Sequence, residues 1–315
     1  MSYRFIYGPV PSRRLGRSLG ISPIPDKTCN YSCIYCMLGR TDHFLNERQE
    51  YYSIRDILTE LGDALPHVVP APDYLSIVGN GEPTLYLRLG ELIDGIRGLS
   101  DIPVAVFTNG ALLSDPAVRS ALDRADLVFV SFNAPDERLF RHINRPHPGI
   151  TYETARQGLV DFARTRHHSR LWISMMLMEG INDSPDALEK VRRTLEDIRP
   201  DRVFVDTPVR PPAEPFVRPV SPHVLAQAQT VLGACVAGSA MGSFTLSPGE
   251  DPIETLVEVC MRHPMRADQI EEVLARAGVD PLPVLARLRA DARFIVEEYG
   301  GQVFFLVREH GEGMP

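Results

Sequence analysis

Cysteine is scarce in this 315-residue chain, with five in all, too few for the disulfide framework of a small secreted scaffold. Tryptophan occurs once and lysine only twice, at Lys27 and Lys190. Any mechanism built on a lysine Schiff base therefore has two candidates in the whole chain. No apolar run approaches the roughly 18 to 20 residues of a membrane span, and Met1 to Val10 lacks the basic and apolar regions of a secretory leader. A soluble, cytoplasmic protein with no membrane partner is expected. Positive charge is short as well: 33 Lys and Arg against 41 Asp and Glu leave a net charge of −8, so the surface as a whole does not advertise a nucleic-acid partner. What is present, 44% hydrophobic and 23% charged residues with 23 Gly and 27 Pro, is ordinary globular composition for one large domain plus a small one, or two of middle size.

Short runs rich in Val, Ile and Phe alternate with helical patterns from about residue 19 to 206. The runs begin at Leu19, Tyr74, Val104, Leu127, Leu171 and Arg202, and they are too short to be buried helices, as parallel strands should be. Between them, 54–65, 87–99, 116–122, 152–165 and 185–198 carry apolar residues three and four apart, several preceded by Asp or Ser caps. Six such units predict a parallel α/β fold, open sheet or barrel. A Pro-rich passage over 207–219 precedes a predicted helix over 222–236, and Ser247 to Pro252 reads as a linker. Beyond it come three short helical patterns, near 253–262, 266–276 and 281–290, and two strand-like runs around Gly300-Gly301, a favoured hairpin turn. Three helices and a hairpin predict a winged-helix-like domain over 250–308, after a larger domain over 1–246.

Cys29-Asn-Tyr-Ser-Cys33-Ile-Tyr-Cys36 is the most informative stretch. Three thiolates in one short loop suit a [4Fe–4S] cluster, in which cysteine ligation is usual. Three ligands for four irons leave one iron open to a substrate, as catalytic zinc sites keep a free position. The competing readings are a zinc site completed by His43, a Cys33–Cys36 redox pair, and unrelated core cysteines. Cys235 and Cys260 are the spares, and Cys260 shares an apolar helix face with Ile253, Leu256 and Val257, so burial is expected there.

The CxxxCxxC spacing with Tyr35 before the last cysteine resembles the signature of radical S-adenosylmethionine (SAM) enzymes. The resemblance implies a partial (β/α)6 barrel, one [4Fe–4S] cluster on Cys29, Cys33 and Cys36, and SAM chelated to the open iron. It further implies reductive cleavage to a 5′-deoxyadenosyl radical that abstracts hydrogen from a substrate, with a one-electron donor such as flavodoxin or ferredoxin as partner. Four strand ends match the places where such a fold holds SAM. Asn80-Gly81-Glu82-Pro83 resembles the element that receives the methionine ammonium, where glycine permits close backbone approach. Thr108 and Asn109 would meet the ribose or carboxylate. Ser131 and Asn133 would meet ribose hydroxyls, with Asn133 standing where relatives often carry Asp. Met178 would pack on adenine, or else serve as core.

Residues 7–20, Asn144 to Gly149 and Thr207 to Glu214 resemble the wyosine-synthase-like branch of that superfamily. No cysteine precedes Cys29 to hold that branch's second cluster, and its pyruvate-binding lysine has no clear counterpart, so a branch member with a different substrate is expected. Arg13, Arg14, Arg17, Arg145 and Arg210 would bring guanidinium forks to the barrel mouth for carboxylate or phosphate, with ordinary ion pairing as the alternative. His147 would be a proton donor nearby or a plain loop residue. Substrates in view are a tRNA base, a peptide or a small acidic metabolite. Residues 250–308 hold eleven acids against seven arginines, which argues against phosphate binding there. The alternative from another class is an iron–sulfur redox sensor with the winged helix as DNA reader. An open-site cluster predicts oxygen lability: protein handled in air loses its iron and visible absorption, and an air-stable chromophore contradicts the reading.

Overall fold

The computed structural model describes residues 3–12, 14–235, 251–262 and 264–307. Its main sheet is built from β1 (Ile6–Ser12), β2 (Gly16–Ile21), β5 (Tyr74–Ile77), β6 (Val104–Thr108), β7 (Leu127–Ser131), β8 (Arg170–Met176) and β9 (Arg202–Asp206), in that spatial order. The six strands from β2 onward run parallel, as the six sequence runs predict, and β1 adds an antiparallel edge. That edge was not foreseen, because Pro9 and Pro11 interrupt its pattern; an edge strand tolerates proline where a central one does not. Two short strands, β3 (Thr28–Cys29) and β4 (His43–Phe44), pair beside the main sheet. Helices α1 (Ile54–Ala64), α2 (Leu89–Leu99), α3 (Pro116–Leu122), α4 (Glu137–Asn144), α5 (Tyr152–Thr165), α6 (Pro185–Ile198) and α7 (Pro222–Val231) complete the α/β part. Helix α4 was not foreseen, although Leu139, Phe140 and Ile143 stand three and four apart on its buried face. Helix α7 stops short of its predicted end near Val236, as Gly233 turns to a positive φ of 59°.

Strand periodicity separates two cores. Leu75, Ile77, Val104, Val106, Val128, Val130, Ile173 and Val205 point outward under the helices. The alternate positions Ala105, Leu127, Phe129, Trp172 and Phe204 point inward with Leu15. The result is a partial (β/α)6 barrel whose lower lumen is filled by side chains. Gly158 of α5 is fitted against the chain below it: a Cβ there would lie 2.4 Å from the Ser114 nitrogen.

Residues after 250 have a core of their own, in which Ile253, Leu256 and Cys260 pack with Ile270, Leu274 and Leu285. Helices α8 (Pro252–Arg262), α9 (Ala267–Arg276) and α10 (Pro281–Ala290) and the hairpin β11 (Phe294–Tyr299) with β12 (Gln302–Val307) lie where the sequence predicts. Gly300 and Gly301 both take positive φ, 59° and 73°, as a two-residue hairpin turn demands. A third strand not foreseen, β10 (Met265–Arg266), pairs with β12. The predicted linker from Ser247 falls mostly outside the described residues. No helix among those residues is long and apolar enough to cross a membrane.

Asp123, after α3, sets the start of β8. Its carboxylate accepts the His167, His168 and Ser169 amides at 2.9, 3.1 and 3.0 Å and the Ser169 hydroxyl at 3.0 Å. Burial alone would raise its pKa, but the four donors outweigh it and hold the carboxyl below the ordinary aspartate range. A depressed folded-state pKa contributes stability that is complete above the unfolded value and lost as pH falls through the folded one. Asp123→Asn is therefore expected to cost about 1–3 kcal/mol at neutral pH. Thermal melts of the two proteins should converge as pH drops below about 4.

Candidate metal centre and cofactor cradle

The cysteine loop leaves the carboxyl end of β2 and is drawn tight by its own backbone. The Cys36 amide donates to the Cys33 carbonyl at 3.1 Å and the Gly39 amide to the Cys36 carbonyl at 3.2 Å. Cys29, Cys33 and Cys36 are free thiols gathered on this one turn. Amide donors reach two of the sulfurs: Asn109 Nδ2 lies 3.7 Å from Cys29 Sγ, and Asn144 Nδ2 lies 3.6 Å from Cys33 Sγ. The Tyr31 amide adds a donor to Cys29 at 3.4 Å. Burial pushes the Cys33 thiol up to about 12 and raises Cys29 and Cys36 as well, so metal binding must displace these protons.

Among the described residues, no three His, Cys, Asp or Glu side chains converge as a site for one metal ion, and His43 is exposed. The mononuclear zinc alternative therefore has no geometric support. A cubane makes a different demand, because each thiolate takes a different iron and the sulfurs need not meet at a point. Three thiols on one loop, with N–H donors on their sulfurs, fit such a cluster.

The Gly79 to Pro83 turn after β5 is pinned to this loop. Gly81 bridges Thr28, and a Cβ on Gly81 would lie 1.9 Å from the Thr28 carbonyl oxygen, so only glycine fits. Asn80 is buried, its amide donating to Asp26 Oδ1 at 2.5 Å. Glu82, 1% exposed, accepts on Oε1 the Thr84 amide at 3.0 Å and the Thr84 and Thr108 hydroxyls, each at 2.6 Å. Its Oε2 accepts the Asn109 amide at 2.6 Å. A carboxylate offers about four lone-pair sites, and Oε2, with one donor, keeps the capacity for another. Burial raises its pKa despite the four donors. Pro83 opens a single 3₁₀ turn over Pro83–Leu85.

At the end of β7, Ser131 is half-buried and Asn133 is 3% exposed. Asn133 donates to the Tyr35 hydroxyl at 2.6 Å and accepts the Met176 amide at 2.7 Å. Tyr35 is thereby fixed between the cysteine loop and the barrel. A small cleft runs between Tyr31, Asn109, Ser131, Asn133, Phe140 and Asn144, bringing together residues from the loop and two strand ends. Met178 does not present itself to a ligand: it is fully buried among Tyr31, Ile34, Phe140 and Val217, so its core alternative holds.

Arg14 and Arg145, expected at the mouth, each pair with an acidic side chain of the protein. Arg14 rises from the β1–β2 turn at the opposite end of the barrel, because β2 runs toward the mouth and the turn precedes it. Its guanidinium lies over Phe129 and Phe204 and pairs with Asp206. Arg145, at a left-handed φ of 44°, pairs with Glu214 at 2.5 Å, and Arg40 reaches the same carboxylate at 3.0 and 3.3 Å. These two arginines hold the Glu214 carboxyl below its ordinary range. Arg210 donates to the Pro264 carbonyl at 3.3 Å. Arg13 lies outside the described residues. His147 is half-buried beside Phe44, with ring centroids 5.4 Å apart.

Several residues were missed altogether. Asn30 accepts from Asn109 at 2.7 Å. Asn182, fully buried, donates to the Asn133 and Met176 carbonyls, each at 2.9 Å, and accepts the Met178 amide at 2.8 Å. Isolated asparagines carry no periodicity that would single them out.

A fold of this kind, with three thiols at the carboxyl end of its first parallel strand, can be set beside known proteins. The Radical SAM superfamily model matches residues 24–191, and the chain belongs to that superfamily. A UPF0026 protein of Methanocaldococcus jannaschii is 31% identical over 95% of both chains. Among solved structures, Streptococcus suis SuiB bound to precursor peptide SuiA superposes with a TM-score of 0.53 at 16% identity over 74% of this chain. The aligned part is 50% of SuiB. TYW1 with a lysine–pyruvate adduct bound covers 94% of this chain and 81% of its own at 14% identity, with a TM-score of 0.46.

The fit of Gly81 generates a test. Gly81→Ala should displace Thr28 and the adjoining Cys29, and iron retained after anaerobic reconstitution should fall several-fold. Gly98→Ala, whose added Cβ meets nothing within 4 Å, should retain the wild-type iron content.

Proposed function

We propose that Cys29, Cys33 and Cys36 hold a single [4Fe–4S] cluster, and that this enzyme uses SAM to abstract hydrogen from a polar substrate entering the barrel mouth. The observation that carries the reading is the pair of amide donors, Asn109 and Asn144, aimed at two of the three sulfurs inside a radical SAM fold. When bound, cluster and SAM supply one-electron cleavage of the sulfonium, giving methionine and a 5′-deoxyadenosyl radical.

The chain's own residues orient and exclude. The Gly79–Gly81 backbone, kept close to the cysteine loop by the absent side chain at Gly81, offers carbonyls to the methionine end. Asn109 and Ser131 border the cleft where hydroxyl and carboxylate groups of SAM would be met, Tyr31 lines it as well, and Thr108 braces Glu82 behind them. The aromatic lower lumen keeps water from entering beneath the reacting carbon, which matters for a radical that attacks almost any C–H bond. An electron donor of the flavodoxin or ferredoxin class would act from the cysteine-loop side.

We read residues 250–308 as a winged-helix-like domain that packs on the barrel. Support comes from Arg210 on Pro264 and from the Tyr299 hydroxyl, 3.4 Å from the Pro208 carbonyl. Its acidic balance favours a substrate other than nucleic acid, and nothing favours a DNA-reading sensor.

Anaerobic enzyme reconstituted with iron and sulfide, then given dithionite and SAM, is expected to release 5′-deoxyadenosine, whereas Cys33→Ala releases none. Iron binding without any cleavage, even with cell extract added, contradicts the proposal.

A further inference from the structure

The lumen above the aromatic floor is built unlike the rest of the barrel. Phe129 and Phe204 are buried, whereas Phe107, Ser131, Ser174 and Met176, which share their inward face, are half-buried. Exposure along the inward face thus rises toward the carboxyl ends of the strands. One wall is Tyr7, whose ring lies over Gly20 and whose hydroxyl donates to the Val78 carbonyl at 2.9 Å. Across the floor lies the Arg14–Asp206 pair. The guanidinium carbon stands 4.9 Å from the Phe129 ring centre and 5.6 Å from that of Phe204. The side chains of Arg14 and Asp206 are 19% and 7% exposed.

Such a pair is poorly explained as a plug. Replacing a buried ion pair by apolar residues of similar size is often neutral or stabilising, and the surrounding floor already consists of Leu15, Leu127 and aromatic rings. Asp206 is the last residue of β9, at the strand ends where parallel barrels build their sites. Arg14 crosses the whole floor to reach it. A ligand bearing only a negative charge would stand against Asp206, and one bearing only a positive charge would stand against Arg14. A ligand carrying both charges, a few bonds apart, can exchange partners with the pair and leave the chamber electrically balanced. Arginine supplies the planar fork that a carboxylate fits.

The geometry points to Arg14 and Asp206 as the recognition pair for a free α-amino acid, its carboxylate on Arg14 and its ammonium on Asp206. This assignment rests on the barrel lumen being the substrate chamber of the proposed SAM enzyme. It narrows the substrate from polar molecules in general to a small zwitterion, since a residue inside a polymer chain carries no free ammonium and carboxylate side by side.

The test is anaerobic titration calorimetry of the reconstituted enzyme with each of the twenty L-amino acids. Any that binds is compared with its 2-oxo acid, which lacks the ammonium, and its decarboxylated amine, which lacks the carboxylate. The expected result is that at least one amino acid binds, with both counterparts at least tenfold weaker. Asp206→Asn and Arg14→Lys should each weaken the amino acid at least tenfold. The assignment is overturned if none of the twenty binds wild-type enzyme, if an oxo acid or amine binds as tightly as its parent, or if both variants keep wild-type affinity. Iron content and SAM binding, measured on the same wild-type sample, separate this outcome from failure of the SAM reading: a sample that holds iron and SAM but no amino acid refutes only the recognition pair.

Discussion

The Glu82 carboxylate ties together the parts on which everything else at the mouth depends. It is almost wholly buried, and its four hydrogen bonds come from Thr84 on its own turn and from Thr108 and Asn109 at the end of β6. Burying an ionised carboxylate costs several kcal/mol, and hydrogen bonds to a charged group return about 1.5–3 kcal/mol each. The four bonds compensate the burial and fix the turn after β5 against the end of β6. Asn109, placed by that knot, turns its side chain onto Cys29 and Asn30. The Glu82 amide meanwhile donates to the Thr28 carbonyl at 3.0 Å, so one residue sets both the strand end and the start of the cysteine loop.

Asparagine does the remaining work around the loop. Each side chain offers donor and acceptor together without charge, which suits a site where thiolates must be met and backbone groups satisfied in the same small volume. Asn133 and Asn182 link the ends of β7 and β8 to Tyr35, and Asn144 caps the loop from α4 while Ser32 and Ile34 bond to the last turn of that helix. Glu214 closes the outer side. Its amide donates to the Ile34 carbonyl at 3.0 Å, and its carboxylate takes Arg40 and Arg145. The Pro-rich passage after β9 is thereby strapped over the cysteine loop.

Much of this was legible in the chain before its fold was seen. The six parallel strands declare themselves because both faces of each are buried, which leaves compact apolar runs. The cysteine spacing survives as a single loop because its ligands are local in sequence. Less local features escaped. Pro9 and Pro11 hid β1, and with it the direction from which Arg14 arrives to pair with Asp206 at the end of β9. Met178 offered no clue to its orientation, and only packing decides between ligand contact and core for such a side chain. Glu82 is marked by its motif, but the donors that reach it from the end of β6, Thr108 and Asn109, lie outside that motif. Asn30 and Asn182 were not singled out, and Asn144 was named only as part of a motif, because their partners lie across the fold.

The account turns on three cysteines holding four irons, with one iron left for SAM. Electron paramagnetic resonance of the dithionite-reduced, reconstituted enzyme with and without SAM tests this most directly. A reduced-cluster signal that changes its g values when SAM is added is the predicted result, since SAM would enter the coordination of the open iron. A spectrum indifferent to saturating SAM would contradict the account.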